Sequence, residues 1–411
     1  MNNLIAYARI FNNRRIAVIA FLGFSSGLPL ALTSGTLQAW MATSGVDIRT
    51  IGIFSLVGLP YTLKFLWSPL MDRFVPPWLG RRRGWIILTQ FLLIFGIAGM
   101  ASVSPENAPL LMAGLALIVA FSSASQDTVV DAYRTDVLLE KERGIGAGIF
   151  VTGYRIGMLV SGALALIFSD HIGWRNTYLI MAGAMTIGVA SALSGTEPDG
   201  KINPPKTLQE AIWAPLKDYF SRRGAFMLLL LITLYKLGDA YAGSLTTVFL
   251  IRGVGFSPSE VGIINKGLGL ASLIAGAILG GTLMVKVGLF NSLLFFGFLQ
   301  CVSNLSFMLL AWMGKSYGML IFTVAFENLC GGMGTSAFVA LLMTICNRSY
   351  SATQYALLSS IAAIGRIIIA PTSGFLVESF GWAIFFFITT IAALPGLFVL
   401  RMLKDKVTAM R

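Results

Sequence analysis

Long apolar runs broken by short polar stretches recur along the whole chain. About 20 apolar residues in a helix cross the ~30 Å hydrocarbon layer of a bilayer. A helix also satisfies its own backbone hydrogen bonds, as lipid demands. The pattern predicts twelve spans, near 15–42, 49–71, 84–103, 109–137, 144–169, 174–194, 223–250, 258–286, 289–312, 316–346, 351–379 and 382–403. The first follows Arg14-Arg15, as a secretory leader would, but it is too long, contains SSGLP and lacks a small-residue cleavage site. It reads as a transmembrane helix. The longest connection holds EPDGKINPPKTLQEAIWAPLKDYFSRR, a polar, basic, proline-containing linker expected to lie on the membrane surface. The expected organisation is a six-helix bundle over 1–194, a linker over 195–222 and a second six-helix bundle over 223–411. The fold class is an all-α integral membrane protein.

Composition agrees. Of 411 residues, 56% are hydrophobic and 12% charged, where a soluble chain carries about a quarter charged residues. The net charge of +12 would suit a nucleic-acid binder, but the placement of the basic residues excludes that partner. Arg14, Arg15, Arg73, Arg81–Arg83, Lys141, Arg143, Lys201, Lys206, Lys217, Lys286, Arg348 and Lys404 fall in one set of loops; the other set holds only Arg49, Arg175, Arg252 and Lys315. Both termini are therefore expected in the cytoplasm. Cys301, Cys330 and Cys346 sit in or beside apolar segments without metal-ligand spacing, and His171 is the single histidine. No nucleophile–base cluster or nucleotide loop is visible, so an enzyme is excluded, as is a receptor lacking any soluble output domain.

Short strings recur about 210 residues apart. SGVDIRTIGI (44–53) echoes RGVGFSPSEVGI (252–263), the spacing Gly153 to Gly162 recurs as Gly365 to Gly374, and HIGW (171–174) matches SFGW (379–382). Two parallel six-helix pseudo-repeats form the architecture of the major facilitator superfamily.

Ionisable residues inside spans are expensive and mark function. Lys64, Asp127, Asp131, Arg134, Arg155, Lys236, Asp239, Lys266, Glu327 and Arg366 all lie within predicted spans. Lys64, Arg155, Lys236, Lys266, Glu327 and Arg366 come near mid-depth at ~1.5 Å per residue. Basic groups exceed acidic ones there, which favours an anionic ligand. Lys236 and Asp239, three apart on one helix face, either bind substrate or neutralise each other. Within SQDTVVDAYRTD (125–136), Gln126 and Asp127 lie deeper and are expected to contact substrate or a proton. Asp131 and Arg134, with Asp72-Arg73 at the end of the second span, are expected to gate the cytoplasmic side, Arg73 pairing with Asp131 or Asp136.

The strings GLPLALTSGTLQAWM (27–41), KFLWSPLMDR (64–73), GRRRGW (80–85), SASQD (123–127), GYRIGMLVSG (153–162), YKLGDA (235–240), FLIRGVGF (249–256), ENLCGGMGTSAFVALLMT (327–344) and SATQYALLSS (351–360) resemble the AmpG-type muropeptide permeases from the first span to the twelfth. That resemblance implies an inner-membrane protein of a Gram-negative bacterium. It would import N-acetylglucosaminyl-1,6-anhydro-N-acetylmuramyl peptides by proton symport, for peptidoglycan recycling and β-lactamase induction. Some members continue past the twelfth span; this sequence ends at Arg411, and its twelve-helix core is expected to suffice. Such a substrate carries carboxylates for Arg155, Lys236, Lys266 and Arg366, and hydroxyls and acetamides for Gln38, Gln126, Asn265 and Asn328. Tyr154, Tyr235, Tyr241 and Trp40 are candidates to stack on a sugar, and Asp239 is a further substrate contact. Asp127 or Glu327 would carry the proton, the residues alone leaving the choice open. The expected partners are the anhydro-muropeptide, protons and the bilayer, with no cofactor beyond the coupling proton, and the expected state is a monomer. The alternative is a superfamily transporter of another organic anion, acyl-coenzyme- or folate-like.

Overall fold

A computed structural model describes residues 13–68, 71, 74–138, 143–197, 217, 219–221, 224–345 and 351–408. Every regular element among them is helical. The α-helices of five residues or more are α1 (Arg14–Leu32), α2 (Gly35–Thr43), α3 (Ile48–Ile53), α4 (Leu59–Leu63), α5 (Arg81–Ala101), α6 (Pro109–Val137), α7 (Arg143–Leu159) and α8 (Ala165–Ala184). They continue as α9 (Thr186–Ser194), α10 (Ala225–Tyr235), α11 (Leu237–Ser244), α12 (Gly269–Val287), α13 (Leu289–Met313), α14 (Tyr317–Ile345), α15 (Ser351–Met402) and α16 (Lys404–Thr408). Among the described residues, nine helical stretches are long and apolar enough to cross a membrane. Side chains such as Leu110 and Val285 are 87% and 85% exposed, a placement that suits hydrocarbon as solvent. Most of the predicted linker lies outside the described residues.

Two helices turn without ending. Gly173 (φ 81°, ψ 163°) lies inside α8 and Gly381 (φ 78°, ψ 170°) inside α15. Only glycine occupies that backbone region without strain. The predicted span 49–71 is more broken than its hydropathy suggests. It runs as α3, a 3₁₀ stretch Phe54–Gly58, α4, which carries Pro60 in its first turn, and a second 3₁₀ stretch Lys64–Leu66. Pro60 has no N–H to continue the preceding ladder, so the chain restarts its helix there.

The chain divides into two compact units. Unit 1 takes the residues up to Ser44 and Val57–Pro204; unit 2 takes Gly45–Leu56 and Pro205–Arg411. In unit 1, α1 and α7 approach so closely that a Cβ on Gly27 would run into the Tyr154 carbonyl oxygen. Small residues allow such contact where lipid supplies no hydrophobic drive. Polar side chains fasten the rest. Gln90 of α5 donates to Ser25 of α1 at 2.8 Å, and Tyr178 of α8 donates to the Leu32 carbonyl at 2.9 Å. At one end of the unit, the Glu197 carboxylate accepts from the backbone N–H groups of Arg82 (2.8 Å) and Arg83 (3.0 Å), capping α5.

In unit 2, α12 and α14 make the corresponding close pair, with Gly276 under the Leu329 carbonyl. Gln300 of α13 donates to the Cys330 carbonyl at 3.1 Å. Cys301 and Cys330 are buried free thiols, as expected, and Cys346 lies outside the described residues. The segment Gly45–Leu56 belongs here although unit 1 flanks it in sequence. Its helix α3 lies on α15, where Gly374 leaves room for the Ile48 carbonyl. Arg49 pairs with Glu378 and sits 5.4 Å over the Phe375 ring, and Arg252 donates to the Val46 carbonyl. Asp47 caps α3, accepting from the Thr50 N–H at 2.9 Å, and hydrogen bonding to Thr50 holds its carboxyl below the ordinary range.

Candidate functional site

Unit 1 brings its candidates together around a broken helix. α1 ends at Leu32, Thr33 folds its hydroxyl back onto the Pro29 carbonyl (3.0 Å), and Ser34 leaves helical backbone (φ −127°, ψ −108°). Breaks of this kind expose polar groups at membrane depth. Gln38 follows on α2, half-buried. On α6, Gln126 is fully buried and donates to Ser26 of α1 at 3.3 Å. Asp127, half-buried beside it, has Lys64 and Asp131 as its charged neighbours. Tyr154 and Arg155 lie on α7, both half-buried, with the Arg155 guanidinium 3.7 Å from Met158 Sδ.

The expected gate residues fall differently. Asp72 and Arg73 lie outside the described residues. Asp131 pairs along its own helix with Arg134 at 3.2 Å, and Arg134 sits 4.6 Å over the Phe150 ring. Asp136 pairs with Arg82 of α5 at 2.8 Å, where the sequence suggested Arg73. That ion pair is 8% and 16% exposed, so it fastens α5 to α6 inside unit 1. Arg82 was read from the sequence only as part of a basic loop, and Glu197 was not singled out. Their partners lie 54 and 115 residues away, beyond any local pattern.

Unit 2 gathers the buried charges. α10 stops at Tyr235, Lys236 breaks the helix (φ −100°, ψ 5°), and α11 restarts at Leu237. Asp239 falls in the first turn of α11, where the helix dipole favours an acid. The Lys236 ammonium is 3.3 Å from the Asp239 carboxylate and 3.5 Å from the Gly331 carbonyl of α14. Glu327, also on α14, has Asp239, Lys236 and Lys266 as charged neighbours. Its carboxylate accepts from the Asn328 amide at 2.7 Å. Lys266 lies in a π-type stretch, Val261–Leu268, and donates to Thr247 at 3.2 Å. Such i→i+5 irregularities often mark functional positions. Two cations and two acids therefore share one neighbourhood, so the local charge is balanced rather than cationic. Arg366 lies in α15, with its side chain outside those described.

The aromatic candidates divide. Trp40 stacks on Trp174 at 5.9 Å, and Tyr235 stacks on Phe338 at 5.6 Å while donating to the Leu293 carbonyl. Both are core residues. Tyr241 shares a 2.6 Å hydrogen bond with Thr372, and Tyr154 keeps an open edge. Among the described residues no group of three His, Cys, Asp or Glu could hold a metal ion.

Broken helices, buried paired charges and close glycine crossings are features that membrane transporters use. Residues 19–326 match the Major Facilitator Superfamily. Solved structures agree at the level of fold. A peptide transporter, POT, in complex with sulfate has a TM-score of 0.74 at 14% identity, over 97% of this chain and 95% of that one. A D-xylose–proton symporter gives 0.71 at 12% identity, over 94% and 96%. Sequence relatives are more specific. The anhydromuropeptide permease of Escherichia coli (strain K12) is 55% identical over 395 residues, covering 96% of this chain and 80% of that protein. The putative transporter AmpG 4 of Rickettsia felis is 36% identical over 409 residues, covering 97% and 99%. The chain belongs to the AmpG-type muropeptide permeases of the Major Facilitator Superfamily, a family of transporters and not of enzymes.

Proposed function

We propose that this protein imports anhydro-muropeptides from periplasm to cytoplasm by proton symport, in the inner membrane of a Gram-negative bacterium. The observation that carries the reading is the 55% identity to an anhydromuropeptide permease across 96% of the chain. The buried groups fit the substrate's chemistry. Lys236 and Lys266 suit stem carboxylates, Asp239 suits an ammonium, and Gln38, Gln126 and Asn328 suit hydroxyls and acetamides. Arg155, Tyr154 and Arg366 complete the substrate contacts, and Asp127 or Glu327 carries the proton. Asp72, Arg73, Asp131 and Arg134 serve the cytoplasmic gate. The protein works as a monomer with no cofactor beyond the proton, and its product supports wall recycling and β-lactamase induction.

Twelve spans are supported by the fold. Counting the long stretches Ile149–Ser194 and Ser360–Met402 as two spans each, divided at Gly173 and Gly381, and adding the shorter apolar helix Ile48–Leu63 to the nine stretches gives twelve. Positive-φ glycines at Gly45 and Gly255, Gly80 and Gly288, and Gly173 and Gly381 recur about 210 residues apart, which supports the duplication.

The test is uptake of labelled anhydro-muropeptide into proteoliposomes, with and without an inward proton gradient. Accumulation above the external concentration, abolished by a protonophore, is the expected result. Uptake that only equilibrates removes the coupling and keeps the substrate. Absence of uptake by folded, correctly oriented protein transfers the assignment to another organic anion.

A further inference from the structure

Among the described residues of unit 1, six buried side-chain oxygens lack a hydrogen-bond partner, and five of them collect on two turns of α6 and on Tyr61, which faces them. The five are Tyr61 OH, Ser122 Oγ, Ser123 Oγ, Gln126 Oε1 and Asp127 Oδ1; the sixth, Gln90 Oε1, lies apart on α5. Ser123 and Thr33 interact with the Tyr61 hydroxyl but fall short of full hydrogen-bond geometry, and Asp127 and Tyr154 are its other neighbours. Many helical hydroxyls of this chain fold back onto the carbonyl one turn earlier, as Thr128 and Ser161 do at 3.1 and 2.9 Å. Ser122 and Ser123 do not.

An unpaired buried oxygen costs about 1–3 kcal/mol, so five together are a burden unless a ligand completes them. All five oxygens accept hydrogen bonds and three also donate. None is cationic, and one belongs to a carboxylate. Gln126 Oε1 and Asp127 Oδ1 are completed only by a donor, which a bare anion does not supply. An uncharged ring with free hydroxyls and acetamides fits: its O–H groups serve Gln126 and Asp127, and its carbonyl serves the serines and the phenol. Tyr61, Asp127 and Tyr154 are half-buried, so the face borders open space at one edge and offers Tyr154 as an aromatic flank.

We propose that Tyr61, Ser123 and Asp127, backed by Ser122 and Gln126, form the site for the uncharged acetamido-sugar portion of the substrate. This rests on the muropeptide reading above. It assigns Asp127 to substrate and leaves Glu327, already hydrogen-bonded and surrounded by charge, as the coupling acid.

The experiment compares wild-type, Tyr61→Phe, Ser123→Ala and the double variant of the full chain in proteoliposomes. Each is measured for uptake of intact anhydro-muropeptide, for inhibition by the peptide-free anhydro-disaccharide and by the free stem peptide, for protonophore-sensitive accumulation, and for melting temperature. The double variant should raise KM for the intact substrate about tenfold, two hydrogen bonds' worth, and lose inhibition by the disaccharide in parallel. Inhibition by the peptide and melting should stay unchanged, and accumulation at saturating substrate should remain protonophore-sensitive. Unchanged KM and disaccharide inhibition overturn the inference while the transport reading stands. Lost accumulation with unchanged KM overturns it in favour of a proton relay, and a lowered melting temperature overturns it in favour of a packing role. Wild-type protein that takes up no muropeptide overturns the transport reading, and the inference with it.

Discussion

Lys236 and Asp239 show how much a single buried charge depends on its neighbour. Their side chains are 21% and 19% exposed, and the pair is 3.3 Å apart. Removing one partner from a buried pair leaves the other charge uncompensated, at about 3–5 kcal/mol. Asp239→Asn is expected to lower stability by somewhat less, about 2–3 kcal/mol, because both groups keep an open edge. Thermal melting of the detergent-solubilised variant checks it. Glu327→Gln is expected to fold normally, because its amide can still accept from Asn328. It should abolish gradient-driven accumulation while leaving substrate exchange intact; persistent accumulation would remove Glu327 from the coupling role. The ionisable residues were legible because a lysine or aspartate stands out in an apolar run. Their pairing was legible only where partners share a helix turn, as Lys236 and Asp239 do. Arg82–Asp136 links two helices, and the orphan hydroxyls of Tyr61 and Ser122 carry no charge, so neither stood out in the sequence.

At the scale of elements, hydropathy located the spans but not their interruptions. The breaks at Ser34 and Lys236 fall inside apolar windows whose average conceals them, and they place Gln38 and Asp239 at fresh helix starts. Gly173 and Gly381 were visible as matching strings, HIGW and SFGW; that each carries a positive φ was not. The glycine crossings set a firm expectation. Gly27→Val or Gly276→Val would drive a side chain into the backbone of α7 or α14. Either substitution should cost at least about 2 kcal/mol, the order of overpacking a tight interface. Reduced folded yield on size-exclusion chromatography, against an unchanged Gly58→Ala control at a position with open space, measures it.

At the scale of the whole molecule, the basic residues predict topology more directly than any helix does. A fluorescent protein fused after Arg411 should fluoresce, as it does only in the cytoplasm. Lys315→Cys, in the turn between α13 and α14, should react with an impermeant maleimide added to intact cells. A reversed result in both would invert the orientation. The two-unit division has a consequence of another kind. Helix α3 reaches unit 2 from a stretch of chain whose neighbours on both sides belong to unit 1. The second half of the gene therefore does not encode a self-sufficient piece. A fragment beginning at Pro205 would present Phe375, Gly374 and Glu378 uncovered, awaiting a helix that only the first half can donate. Separately expressed halves should accordingly be sought as a co-purifying pair held by that donated helix, and a nick in the linker should pass unnoticed until the protein is denatured.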